Sequence, residues 1–239
     1  MIPKTIHYCW FGKNPLPKSA VKCIASWRKF LPDYEIKEWN EENFDVNINT
    51  FTKEAYEEKK YAFVSDYARL WIIYNYGGIY FDTDVEVIRE MDDILDKGPF
   101  MAFEKHLMNP EMAHYVNPGL GYASNKNNPI IKEIMTFYEK SKSYQEDVIP
   151  IVPITTDVLK LHGLYESDTP IEINENFTIY PWEYFCPIEY LSNKLEISAN
   201  TRSIHHYTES WMGWKLKLQT RKGAFISKAK MWLNDFTDK

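Results

Sequence analysis

The sequence predicts an α/β protein with a mostly parallel central sheet flanked by helices, and three features carry that expectation. Short β-rich runs closed by glycine or proline alternate with amphipathic stretches of helical length, as in folds built from strand–helix–strand units. At 239 residues and 28.4 kDa the chain can bury one large core, so a single domain over 1–239 is expected. Finally, the buried-looking run "IYF" ends on two aspartates in "GGIYFDTDVEV", and open α/β sheets bind ligands beyond the carboxyl ends of their strands.

In chain order, "KTIHYCWFG" alternates and is β-rich, with Gly12, Pro15 and Pro17 closing it, so it reads as a first strand and a loop. A helix is expected at about 18–30, and a second strand at "DYEIKEWN". The span from Phe51 to Tyr76 is helical in character until Gly77-Gly78 stops it, and "IYF" follows as a strand. Further on, "PFMAFEK" reads as a strand and "NPGLGYASNKNNP" as a strand with turns. "PIIKEIMTFYEKSK" and residues 153–162 read as helices, "IEINENFTIYPWEYF" as β-rich structure, and "TRSIHHYTESW" as a late strand running into a turn. There is no internal repeat, low-complexity tract or linker.

Composition narrows the function classes. Aromatic residues make up 16% of the chain, enough to suggest surfaces made for flat ligands such as sugars and bases. A formal net charge of -6 disfavours nucleic-acid binding. Cys9, Cys23 and Cys186 have no metal-binding spacing and form no disulfide framework, which fits a reducing cytoplasm. The opening "MIPKTIHYCWFG" lacks a basic-then-apolar leader, and no apolar run reaches the roughly 18 residues of a membrane span, so neither secretion nor a helical anchor is expected.

Chemistry concentrates in three places. Asp82 and Asp84, two apart behind a strand, can both reach one hard cation, or one can bind it while the other holds a ligand hydroxyl; oxygen ligands suit Mg²⁺ or Mn²⁺. A solvated acidic turn would look the same by spacing alone. In "FVSDYARLWIIYNYGG", Asp66 and Arg69 lie three apart and share a helix face. On a surface such a pair is worth a few tenths of a kcal/mol, but the apolar company here argues for partial burial. In "SIHHYTESWMGW", strand alternation lets only one of His205 and His206 face a cation, and Ser210 and Trp211 offer a hydroxyl and an indole donor close by.

"IPKTIHYCWFG", "LPDYEIKEWN", "FVSDYARLWIIYNYGGIYFDTDVEVI" and "SIHHYTESW" together resemble the bacterial DXD-containing sugar transferases of glycosyltransferase family 32, which are distantly related to the clostridial glucosylating toxins. The resemblance runs from Ile2 to about Trp211. It implies a GT-A fold, a nucleotide-sugar donor, in the first instance a UDP-sugar, and Mn²⁺ or Mg²⁺ bridging the donor diphosphate. By match, Asp84 would bind the metal, Asp82 would contact ribose or sugar as well as the metal, and His206 would be the late ligand. Trp10 would stack on the nucleobase, Asp66 and Arg69 would hold the donor sugar, Tyr80 would lie near the ribose, and Ser210 and Trp211 would touch the β-phosphate. Arg69 would also supply fixed positive charge to the reaction alongside Asp82 and Asp84. The resemblance further implies retention of anomeric configuration and a glycan or lipid-linked glycan acceptor, as in surface polysaccharide synthesis. For the acceptor, Asn117, Gly119 and Asp157 are candidates.

Two other classes meet some of these features. Phosphohydrolases of the haloacid dehalogenase type also end a strand in D-x-D, but near the N-terminus and with a Gly-Thr turn following, whereas "VEV" follows here. A non-enzymatic carbohydrate-binding module would explain the tryptophans but not the metal set. The segment "WMGWKLKLQTRKGAFISKAKMW", residues 211–232, carries six basic and no acidic side chains among aromatic and apolar ones. It reads either as a packed C-terminal helix with a basic face or as a peripheral contact with anionic membrane at the cytoplasmic side.

Overall fold

The computed structural model describes residues 2–105, 115–141, 150–174, 176–189 and 194–208. Residues 2–206 fall in one compact unit. The basic segment 211–232, with Ser210 and Trp211, lies outside the described residues.

A seven-stranded sheet forms the centre, in the order β2-β1-β3-β6-β5-β8-β7. Its strands are β1 (Thr5–Cys9), β2 (Glu35–Trp39), β3 (Gly78–Tyr80), β5 (Phe100–Ala102), β6 (Tyr122–Ser124), β7 (Ile171–Ile173) and β8 (Phe177–Tyr180). β1 pairs in parallel with β2 and β3, and β5 with β8, while β6 and β7 run against their neighbours. Five strands therefore point one way. The carboxyl ends of β1, β3 and β5 and the entry to the reversed β6 share one edge, which brings Trp10, Asp82, Glu104 and the 117–121 turn to the same side of the sheet.

A separate two-stranded ladder joins β4 (Val85–Val87) to β9 (Ser203–His205). The chain reverses into β4 at the D-x-D itself, Val85 N donating to Asp82 O at 3.0 Å. Helix α1 (Lys18–Phe30) holds β4 in place: Trp27 Nε1 donates to Val85 O at 2.7 Å, and Val87 N donates to Ser26 Oγ at 2.9 Å. Trp27 is fully buried against Phe81, so truncating it would remove about 3–5 kcal/mol of packing directly behind the aspartates.

The predicted helix over 51–76 is two helices, α2 (Thr50–Glu57) and α3 (Tyr61–Tyr76). Lys59 takes a left-handed conformation at φ 59°, with Lys60 N bonded to Ala55 O and Lys59 N to Tyr56 O. These two bonds satisfy the last carbonyls of α2 and end it without a glycine. Helix α3 then packs on β1 and β3 and against α5 (Pro129–Lys140), which in turn meets α6 (Ile151–Leu161). A short α4 (Asp92–Leu95) lies between β4 and β5.

The glycine pair after α3 lets helix and strand meet tightly. Gly78 sits at φ 104°, and a Cβ there would stand 2.5 Å from Thr5 O and 3.0 Å from His7 Nε2. His7 Nε2 bonds Gly77 O at 3.0 Å, and Trp39 Nε1 donates to His7 Nδ1 at 3.0 Å, so one buried imidazole ties β1, β2 and the turn together.

Candidate active site

β3 leads Tyr80 and then Asp82 to the sheet edge, and α3, running back across the sheet, sets Asp66 and Arg69 beneath them. The guanidinium of Arg69 bridges the two carboxylates: Nη2 lies 3.0 Å from Asp66 Oδ1 and 3.3 Å from Asp82 Oδ1, and Nη1 lies 3.4 Å from Asp82 Oδ2. Tyr80 donates its hydroxyl to Asp82 Oδ1 at 2.9 Å, and Arg69 Nε donates to Ser65 O at 3.1 Å. Arg69 is 5% exposed. The i,i+3 spacing thus makes a buried clamp that fixes the direction of the Asp82 carboxylate, a use of geometry rather than a large gain in stability.

Burial pushes the Asp66 carboxyl up to about 7, with the Arg69 charge opposing it. Asp82 is raised as well, by burial first and by the like charge of Asp84, again against Arg69. For Arg69, burial works against the charge, but the Asp82 and Asp66 carboxylates outweigh it and hold the group well above its ordinary value.

The other half of the D-x-D faces β9. In the β4–β9 ladder Val85 is opposite His205, and His206 N donates to Asp84 O at 3.0 Å. His205 Nε2 stands 3.1 Å from Asp84 Oδ1, both side chains being largely buried. Burial lowers the proton affinity of His205, yet the neighbouring Asp84 outweighs it and raises the imidazole above its usual range. His206 points elsewhere: it is exposed, and its Nε2 meets Glu86 Oε2 at 2.8 Å. The register therefore differs from the expected one by a residue. Ser203 and His205 share a face of β9, and pairing with β4 turns that face toward Asp84.

One oxygen each of Asp82 and Asp84 and one nitrogen of His205 all lie within 4.8 Å of one another. Two carboxylates and an imidazole form a donor set that fits a divalent cation of the Mn²⁺ or Mg²⁺ type, the nitrogen favouring Mn²⁺.

Beside the clamp, the turn before β6 closes on Asp82. Asn117 Oδ1 accepts from Gly119 N at 2.7 Å, and Asn117 Nδ2 donates to Glu104 Oε1 at 3.1 Å. A Cβ on Gly119 would stand 2.6 Å from Asp82 Oδ2 and 3.3 Å from Arg69 Nη1, so any side chain there would displace the carboxylate. Sequence reasoning did not single out Glu104, and it named His206 where the geometry instead brings His205 to Asp84. The only signal for Glu104 was its position just past the apolar "FMAF", and that has meaning only once β5 is known to share the edge where β3 ends.

Trp10 stands one residue beyond β1, half-buried. Its amide bonds to Trp39 O at 2.8 Å, and its indole nitrogen donates to Asn14 O at 2.6 Å. Tyr80, expected beside the ribose, is 1% exposed and serves Asp82. Asp157 pairs with Lys160 at 3.6 Å on an exposed part of α6 and joins none of the contacts around Asp82.

Residues 17–101 match the family described as "Glycosyltransferase sugar-binding region containing DXD motif". Two proteins of Schizosaccharomyces pombe are similar over part of the chain. "Inositol phosphoceramide mannosyltransferase 1" is 30% identical over 111 residues, 42% of this chain and 33% of its own length; "Inositol phosphoceramide mannosyltransferase 3" is 36% identical over 98 residues, 39% and 27%. The chain thus spans about a third of the length of these relatives. Among solved structures, "PaToxG Glycosyltransferase" superposes with a TM-score of 0.53 at 20% identity, over 67% of this chain and 69% of that one, a likeness of fold. On this mixed α/β fold, the 17–101 span that matches a glycosyltransferase sugar-binding region of the DXD-containing type includes Asp82-Thr83-Asp84 as a D-x-D.

Proposed function

We propose that the protein is a metal-dependent, retaining glycosyltransferase that moves a hexose from a nucleotide-sugar to a hydroxyl of a glycan or lipid-linked glycan. The observation that carries this reading is the convergence of Asp82, Asp84 and His205 at the sheet edge, beside a clamped arginine. Asp84 and His205, with Asp82, would hold Mn²⁺ or Mg²⁺, which supplies neutralising charge to the donor diphosphate as it departs. Asp82, fixed by Arg69 and Tyr80, orients the donor's ribose and sugar. Arg69 contributes permanent positive charge where the glycosidic bond breaks, and Trp10 offers an aromatic face to the base. No side chain is assigned as a nucleophile; in a front-face displacement the departing phosphate takes the acceptor's proton.

The fungal relatives are named for mannosyl transfer to inositol phosphoceramide, which makes mannose a hexose to test beside the UDP-sugars and supports a lipid-borne acceptor. In this reading the enzyme works in the cytoplasm, with 211–232 as its contact with the membrane's inner face. The buried free thiols of Cys9, Cys23 and Cys186 suit that compartment, and among the described residues no helix is long and apolar enough to cross a membrane.

The test is release of nucleoside diphosphate from a panel of UDP- and GDP-sugars with Mn²⁺ or Mg²⁺. Turnover should vanish in excess EDTA and in Asp84→Ala while the circular dichroism spectrum stays unchanged. Equal rates with and without EDTA, or no turnover of any sugar in the panel, would overturn the reading.

A further inference from the structure

We infer that Glu104 is a positioning residue for this reaction: it fixes the Asn117 amide and thereby keeps the Pro118–Leu120 turn pressed against the Asp82 carboxylate. The inference rests on the proposed glycosyl transfer and adds to it a residue outside the D-x-D and its clamp.

The contacts form a chain. An asparagine amide has one acceptor end and one donor end, and only the surroundings decide which way it points. Here the acceptor end must face Gly119 N, which donates to Asn117 Oδ1 at 2.7 Å. The donor end must then find an acceptor, and Glu104 Oε1 is that acceptor at 3.1 Å. A carboxylate cannot donate when ionised, so Glu104 enforces the orientation that the turn needs. Turned over, the amide would set its NH₂ group against the Gly119 N–H. At the far end, the Gly119 Cα lies so close to Asp82 that a Cβ would be 2.6 Å from Oδ2. Loosening the turn thus opens space beside Asp82 Oδ2, next to Arg69 Nη1.

Glu104 is itself held from behind. Its amide donates to Tyr115 O at 2.7 Å, Phe103 is bridged to Val116, and Asn117 N donates to Ala102 O at 3.1 Å, so two strands of backbone fix its position. The next residue, Lys105, is fully buried; its Nζ lies 2.6 Å from Glu196 Oε2 and 3.8 Å from the centre of the Trp182 ring. Glu104 is 7% exposed and its carboxylate holds Asn117 Nδ2, and this contact is the one through which it acts on the turn. Asp82 keeps Arg69 and Tyr80 when the turn moves, so the effect should fall on placement of the sugar more than on capture of the nucleotide.

The experiment compares wild type, Glu104→Ala and Glu104→Gln. It measures binding of UDP with Mn²⁺ by calorimetry, and kcat and KM for whichever of UDP-glucose, UDP-galactose and GDP-mannose the wild type hydrolyses fastest. Glu104→Ala should lower kcat at least about tenfold, since a misplacement of an ångström costs that much or more, and should leave the Kd for UDP and Mn²⁺ within about twofold of wild type. Glu104→Gln, which can still present an oxygen to Asn117 Nδ2, should recover most of the rate. The inference is overturned if Glu104→Ala keeps the wild-type kcat, if the glutamine variant is as slow as the alanine variant, or if UDP affinity and melting temperature fall in step with kcat. Absence of hydrolysis by the wild type overturns the proposed function and, with it, this inference.

Discussion

Acidification tests the junction that carries the D-x-D strand, through His7. The ring is 2% exposed, and its two bonds fix its tautomer: Nδ1 accepts from the Trp39 indole, so Nε2 carries the proton and donates to Gly77 O. A second proton could go only to Nδ1, where it would confront an N–H. Burial is the main cause that pushes the imidazole down from 6.5 to about 4; the Gly77 bond opposes it and Lys37 assists. Between these values the unfolded chain binds a proton that the folded chain does not, so stability rises with pH across the window and is lost as pH falls from about 6.5 to about 4. At about 1.4 kcal/mol per tenfold in proton affinity, the loss attributable to His7 is about 3 kcal/mol. Urea unfolding followed by tryptophan fluorescence at several pH values across this window, in wild type and His7→Gln, isolates the effect. Glutamine can accept from Trp39 and donate to Gly77 without titrating, so the difference in midpoint between the two proteins should narrow as pH falls. A difference that stays constant across the window would refute the assignment of a buried neutral His7.

The two histidines of β9 and its exit should separate cleanly. His205→Ala should raise the Mn²⁺ concentration for half-maximal turnover about tenfold or more, the scale of losing a supporting metal contact, and His206→Ala should leave it unchanged; the opposite result would place the cation elsewhere. Trp10→Ala should weaken binding of UDP by about 1–3 kcal/mol, the worth of one base–aromatic stack, with little change in melting temperature, as checked by calorimetry and thermal unfolding. A large drop in melting temperature with UDP affinity intact would make Trp10 a packing residue.

Much of the fold was legible because the signals are local. Helix α1 lies at Lys18–Phe30, where it was expected, and Asn128 caps α5 through Ile130 N and Ile131 N ahead of "PIIKEIMTFYEK". The break between α2 and α3 was hidden because Lys59 closes α2 in a left-handed conformation usually left to glycine. Strand β4 was hidden too: "VEV" is too short to announce itself and is a strand only because Ser26, Trp27 and β9 bind it.

For the site, the sequence by itself determined the paired carboxylates and the Asp66–Arg69 neighbours, while the reach of Arg69 to Asp82 came from the fold. A strand that ends on D-x-D must deliver both aspartates to one edge, and a three-residue offset on a helix must set Asp66 and Arg69 side by side, whatever the rest of the chain does. The tertiary structure alone decided which histidine joins them. A strand's alternation has a period of two but no intrinsic phase; the pairing of Val85 with His205 supplies the phase and turns His206 to Glu86. It alone brought in Glu104, and it alone set Gly119, an acceptor candidate by sequence, against Asp82, because their nearness to Asp82 depends on β6 running against β3 and β5, a choice made by sheet assembly over dozens of residues rather than by any local pattern.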